Sequence, residues 1–486
     1  MFKKFAAILL CVTMTVGMTG CQKSGAGETS KPQNENKTEN AQGKSEDQSG
    51  KTEGDESAQG NSEDPAGNGA DEGNGSGEEV TIPMILTTGT NDAQDIVTGK
   101  IVDDFNEAYK GKYHVDVEKL AGSADDYRQK IKMLNSSESL PAVLFGMGTE
   151  PAFLELLTEN DRLVDMAPYL ENDQEWKDTV IPQSIEEFTT DSGMFLVPVS
   201  GVQMSGIYYN KELFEKAGIK EFPKDWDSFW KACDSLKAAG IKPVSMHTTE
   251  TAWCAMLMAT AHMAQTDAGM EFLQKQYPDT YDTKEFREGM EVMVRLFKDY
   301  TTEDAVGGTY ALASNHFFSE DTAMIANGPW MMSSLTDTSY VDEEFVDKIG
   351  YAPYPGNVME AYMGQGAMVV TKDHPQEVID GAAEFVKFYS RPEYVVQSAV
   401  ETGSMPVTIE IEQSEIDKMI SPMKEYVECA KNVDVIFPNY QNKWDPVVQQ
   451  EVLGRELPNL IYDSITLDDF IKMLDDGAKQ YKSDVE

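Results

Sequence analysis

Tryptophans, amides, hydroxyls and carboxylates fall together at 87–92, 146–150, 247–253 and 327–330 of this chain. Such a mixture suits a neutral, polyhydroxylated ligand. An aromatic face packs on the apolar C–H face of a pyranose, and planar polar groups hydrogen-bond its hydroxyls. Other chemistries lack their spacing. There is no P-loop signature, no GxGxxG after the first expected strand, no HExxH or CxxC metal pattern and no nucleophile elbow. No cofactor and no metal are therefore expected. A glycoside hydrolase would need two placed carboxylates. With 84 Asp and Glu in the chain, some pair falls near any cleft by chance, so acid count does not argue for an enzyme.

These stretches matter because of where they fall. Val80 to Thr87 reads as a first strand, and Ile96, Ile101, Phe105 and Tyr109 repeat at helical spacing. Tyr113 to Leu120 alternates as a strand, a helix follows from Asp125 to Leu134, and 141–145 is a short buried strand. This βαβαβ order predicts a mostly parallel sheet covered by helices. The pattern resumes at Val202 to Tyr209, with a helix capped by Asp225, a strand from Pro243 to Met246, helices at 252–264 and 283–299, and a strand at 323–326. Sheets of this kind bind ligands beyond the carboxyl ends of their strands, which is where the polar and aromatic stretches stand. They supply the candidates Asn91, Asp92, Thr149, Glu150, His247, Glu250, Trp253 and Trp330.

The N-terminal part has other work. Lys3 and Lys4 precede an uncharged apolar stretch from Phe5 to Val16, too short to span a bilayer, and Met18-Thr19-Gly20-Cys21 follows. Small residues ahead of a cysteine fit a lipobox, so residues 1–21 read as a lipoprotein signal with Cys21 the lipidated residue. Residues 22–79 contain no Val, Ile, Leu, Met, Phe, Tyr or Trp and cannot build a core. They read as a disordered acidic tether with a reach of roughly 40 Å. The whole chain has 486 residues and a formal charge of −44. The tether holds fourteen acids and five lysines, so most of the acidity belongs to the folded part as a solvated surface. That balance argues against nucleic acid and against an electrostatic grip on anionic lipid. Cys233, Cys254 and Cys429 remain among apolar neighbours and read as small buried hydrophobes.

The order of several segments resembles a known family. Ile207-Tyr208-Tyr209-Asn210-Lys211, Leu213-Phe214, Ala217-Gly218-Ile219, Phe222-Pro223, Trp226 and Gly240-Ile241-Lys242-Pro243 resemble the signature of family 1 extracellular solute-binding proteins. These are the sugar-binding lipoproteins of ABC importers, similar in design to maltose-binding protein. Residues 317–330, 350–355, 364–366, 383–388, 392–393 and 403–406 match later parts of the pattern in register. Leu140 to Phe145 stands where the family has PDVVF, with Ala142 in place of the aspartate.

The resemblance implies an α/β fold of two lobes, each a mostly parallel sheet flanked by helices, joined by a hinge that the chain crosses several times. Lobe 1 would comprise 80–202 and 366–408, and lobe 2 would comprise 203–365 and 409–486. Crossings are expected near Pro198 to Gln203, Tyr362 to Gly366 and Pro406 to Gln413, with Gly201, Gly364, Gly366 and Gly403 able to absorb the change of dihedrals. It implies that Trp330 is a stacking aromatic in the cleft and that Trp253 and Trp444 stand in segments that contribute aromatics. Gln203 and Gln365 would make polar contacts from the hinge. The implied partners are a carbohydrate, with an oligosaccharide expected, and ABC permease subunits driven by a separate ATPase. The implied location is the extracytoplasmic face of a cell membrane, on a Gram-positive surface, held by lipid.

Overall fold

The computed structural model describes residues 79–88, 93–121, 124–145, 151–180, 185, 188–190, 192–249, 252–362, 367–406 and 409–485. The signal, Cys21 and nearly all of the tether lie outside them, as do Asn91, Asp92, Thr149, Glu150, Glu250, Gln365, Gly364 and Gly366.

The described residues form twelve strands. They are β1 Val80–Thr88, β2 Tyr113–Ala121, β3 Val143–Phe145, β4 Val197–Pro198, β5 Gly201–Asn210, β6 Lys242–Ser245, β7 Thr322–Asn327, β8 Ile349–Ala352, β9 Val358–Tyr362, β10 Ala367–Val370, β11 Met405–Pro406 and β12 Val435–Pro438. The first sheet runs β2-β1-β3-β10-β4. In it β1 is parallel to β2 and β3, and only β10 runs against its neighbours. The second sheet runs β12-β9-β5-β7-β6, with β8 and β11 also paired to β5. There β12 lies parallel to β9 and β6 to β7, while β5 is antiparallel to all its partners. Each sheet is thus mostly parallel with one reversed strand.

The elements follow from local chemistry. Asp225 caps the helix Trp226–Ala238 in a capping box with Ser228, and Thr283 caps Lys284–Asp299 by accepting from the Phe286 N–H. The first sheet buries Ile82, Met84, Val143, Phe145 and Val370 against Phe105, Phe385 and Phe388 of its helices. In the second, the two-residue period of β5 sends Ile207 into a cluster with Phe229, Met256, Met324 and Trp444, and Tyr208 into another with Met331, Tyr351 and Tyr426. Both faces are covered, so these strands read as nearly unbroken apolar runs.

The chain passes between the sheets from β4 to β5, from β9 to β10, and again from the helix Pro392–Thr402 to β11. At the first passage Gly201 pairs with Pro406, and a Cβ on Gly201 would lie 2.2 Å from the Met405 carbonyl oxygen. Only glycine permits that approach. At the third, Gly403 ends its helix in the left-handed region with φ of 67°. Cys233, Cys254 and Cys429 are free thiols, the first two buried.

Candidate functional site

The carboxyl ends of β6, β7 and β9 bring together rings from five separate segments. His247 lies just beyond β6, Trp253 opens the helix Trp253–Met263, Tyr310 opens Tyr310–Phe318, Trp330 sits in the turn after β7, and Tyr362 ends β9. Their centroids form a chain: His247 to Trp253 5.3 Å, Trp253 to Tyr310 5.6 Å, Trp253 to Trp330 6.1 Å and Trp330 to Tyr362 4.9 Å. The Trp253–Trp330 and Trp330–Tyr362 planes cross at 70° and 76°. Such edge-to-face contacts lock each ring by its neighbour. Trp253, Tyr310 and Trp330 are half-buried, so the wall is held by its neighbours while each ring residue keeps some surface exposed.

Trp330 owes its place to the residues before it. Asn327 is buried and its Oδ1 accepts from the Gly328 N–H at 2.9 Å, turning the chain as it leaves β7. The Tyr208 hydroxyl donates to the Gly328 carbonyl at 2.8 Å. Pro329 then opens a 3₁₀ turn over Pro329–Leu335. A Cβ on Gly328 would lie 2.0 Å from the Trp330 ring. The indole folds back onto the space that the missing side chain leaves.

Gln203 pairs with Tyr362 across the β5–β9 ladder and is half-buried. Its Nε2 donates to the Thr402 carbonyl at 3.4 Å, so it links the end of the wall to the third passage between the sheets.

Two expected site residues are placed elsewhere. Trp444 is 2% exposed and is ringed by Phe272, Tyr281, Phe286 and Tyr440 at 5.3 to 6.2 Å. It is a core residue, with no face left for a ligand. His247 is fully buried, packed behind Trp253 and Tyr310, and backs the wall rather than surfacing it. Trp226 and Trp230 pack on their own helix and on Phe229, with Arg295 3.9 Å above the Trp230 ring.

Sequence reasoning missed Tyr310 and Glu360. Glu360 is 0% exposed, inside β9. Its carboxylate accepts from Asn439 Nδ2 at 2.9 Å, Thr260 Oγ1 at 3.1 Å and Ser205 Oγ at 3.5 Å. The Tyr354 hydroxyl in turn donates to Ser205 Oγ at 2.9 Å. Burial pushes the Glu360 carboxyl up to about 7, and these donors only partly counter it. The signal was available: a lone glutamate in the strand Val358–Tyr362, among apolar neighbours.

Residues 90–396, more than half of the chain, match the bacterial extracellular solute-binding protein family. The chain belongs to that family. It is 24% identical over 256 residues to a multiple sugar-binding protein of Streptococcus mutans, covering 51% of this chain and 59% of the relative. The chain thus spans less than two thirds of that relative's length. An sn-glycerol-3-phosphate-binding periplasmic protein of Yersinia enterocolitica is 21% identical over 332 residues, covering 63% of this chain and 73% of its own. Among solved structures, a chitin oligosaccharide binding protein superposes with a TM-score of 0.70 at 19% identity, covering 83% of this chain and 99% of that one. The family and these neighbours are binding proteins, and the two-lobed periplasmic-binding fold is shared.

Proposed function

We propose that this chain captures a carbohydrate, an oligosaccharide by preference, in the cleft between its two lobes and presents it to an ABC permease driven by a separate ATPase. The observation that carries the reading is the aromatic wall. Trp253, Tyr310 and Trp330 stand together at the carboxyl ends of the strands, each partly exposed, an arrangement on which sugar rings can stack. Names of similar proteins point the same way, toward multiple sugars and chitin oligosaccharides. Asn91, Asp92, Thr149, Glu150, Glu250 and Gln365 are proposed as polar contacts, and Gln203 as one from the hinge.

The lobes are taken as 80–202 with 366–408 and 203–365 with 409–486. Closure about the passages would be driven by tighter binding to the closed form. Lipid on Cys21 would hold the protein to the outer face of the membrane, with the tether giving it range. A Cys21→Ser variant is expected in the medium rather than in the membrane fraction, and continued lipid labelling would refute the anchor.

The reading is tested by a thermal-shift panel of mono- and oligosaccharides, since a ligand that binds the native state raises its melting temperature. At least one saccharide should do so. Silence across the panel, with a response to sn-glycerol 3-phosphate, a polyamine or a peptide, would replace it. An anionic solute is the second reading. The glycerol-phosphate-binding relative favours it.

A further inference from the structure

The turn that carries Trp330 lies against the third passage between the sheets. A Cβ on Gly403 would stand 2.5 Å from Pro329 Cβ and 2.9 Å from Met423 Sδ. The bare Cα of Gly403 is therefore wedged between the 3₁₀ turn Pro329–Leu335 and the helix Ser421–Asn432. Pro329 is the residue before Trp330. The neighbours of Gly403 are drawn into the same contact: Val400 and Met405 pack on the cluster that holds Met331, Met332 and Met423. Tyr394, on the same helix as Val400, packs instead on the core of the first sheet. The helix Pro392–Thr402 thus reaches from one core to the other and ends on the Trp330 turn.

The backbone at this joint is held on both sides. Gly403 is buried at φ of 67°, and its N–H donates to the Ala399 carbonyl at 3.0 Å. Before it, Thr402 Oγ1 donates to the Ser398 carbonyl at 2.6 Å, and the Thr402 carbonyl accepts from Gln203 Nε2 at 3.4 Å. After it, the Ser404 N–H donates to Thr402 Oγ1 at 3.2 Å, and Met405 pairs with Val202 of β5.

We infer that Gly403 is a positioning residue for ligand capture: it seats the turn that carries Trp330, so the backbone of the third passage sets where the stacking ring stands. The inference deepens the carbohydrate reading and rests on it for its ligand. A close-packed contact transmits a displacement rather than absorbing it. Gly403 has no side chain to yield, and the Pro329 ring is stiff. Rotation of the chain at 403 presses on Pro329 and carries the next residue, Trp330, with it. A side chain at 403 would have the same effect with no movement of the lobes, because the turn must shift to clear it.

Gly218 supplies the control. It has φ of 78° and nothing within 4 Å of the place a Cβ would take. Gly218→Ala therefore bears the backbone cost of an alanine in the left-handed region without the contact. The experiment titrates the saccharide with the largest thermal shift into wild type, Gly403→Ala, Gly218→Ala, Trp330→Ala and the double variant Gly403→Ala/Trp330→Ala. Gly403→Ala should weaken binding about fivefold or more. Gly218→Ala should lower the melting temperature and leave affinity unchanged. In the Trp330→Ala background, Gly403→Ala should change affinity less than about twofold, since two changes that act through one ring do not add. Wild-type affinity in Gly403→Ala, or its full effect in the absence of Trp330, would overturn the inference. Should Gly403→Ala not fold, Gly403→Asn carries the same test, because asparagine tolerates that φ and still places a Cβ on Pro329. Tryptophan emission of the ligand-free proteins is recorded alongside. Gly403→Ala should shift it, and the shift should vanish in a Trp330→Phe background. If no saccharide binds, the carbohydrate reading fails and emission alone decides: no shift, or a shift that persists without Trp330, overturns the seat at Gly403.

Discussion

The turn that carries Trp330 and the turn that carries Trp444 leave strands of the same sheet, and each starts from a buried asparagine. Asn327 Oδ1 accepts from the Gly328 N–H, and Asn439 Oδ1 accepts from the Gln441 N–H at 2.8 Å. After that they diverge. The first runs through glycine and proline into a short 3₁₀ turn, and its tryptophan is stopped at the rim by Tyr362 and Trp253. The second runs on into helical segments at 448–461, Gln449 Nε2 reaches back to the Trp444 carbonyl at 2.8 Å, and its tryptophan is enclosed by Phe272, Tyr281 and Phe286 from earlier in the chain. An aromatic residue becomes a ligand platform when the chain beyond it stays short. It becomes core when segments from elsewhere in the chain, here Phe272, Tyr281 and Phe286, close around it. Glu360 lies between the two turns, accepting from Asn439 Nδ2 and sharing β9 with Tyr362.

The contrast breaks most sharply at Trp444. Trp444→Ala should cost about 3–5 kcal/mol of stability, as large aromatic truncations in cores do. Affinity measured well below the lowered melting temperature should stay close to wild type. A loss of binding without loss of stability would exchange the roles of the two tryptophans.

Next comes the carboxylate between them. The folded Glu360 pKa, about 7, lies above its usual 4.5, so the native state holds its proton over a range where the unfolded chain has lost it. The stability linked to this group is fully present below about pH 4.5 and is lost as pH rises through about 7. At roughly 1.4 kcal/mol per pH unit, the difference approaches ~3 kcal/mol. Chemical denaturation should find Glu360→Gln more stable than wild type at pH 8, with the gap closing toward pH 4.5. A gap that widens at low pH would reverse the sign.

Trp330→Ala should weaken saccharide binding at least about tenfold, or ~1.4 kcal/mol, while the melting temperature changes little. Unchanged affinity in a titration would remove Trp330 from the wall. Gln203→Ala is the mildest change, at about two- to fivefold in affinity for the loss of one polar contact. A Gln203 effect larger than that of Trp330 would move the centre of the site toward the hinge.

The architecture was open to sequence reasoning because its periods are clean. Val80 to Thr87, Tyr113 to Leu120 and the helix at 283–299 agree with the observed elements to within a residue. Trp253 was legible as a residue beyond a strand end. Trp444 was not separable from it, because local pattern does not show which distant segments, here Phe272, Tyr281 and Phe286, close around a ring. His247 misled for the same reason: Tyr310, sixty-three residues away in the chain, helps to shut it in. Tyr310 escaped notice because it opens a helix rather than ends a strand.

The close fit of the Trp330 indole over Gly328 has a bearing on genetics. A screen for altered ligand use that varies only side chains facing the cleft would pass over position 328, which has none. Gly328→Ala would nonetheless displace the indole, because the new methyl group would stand within 2.0 Å of it. A single codon change there can reset the platform while every contacting residue keeps its identity, so a lineage could shift preference through a position that no ligand touches.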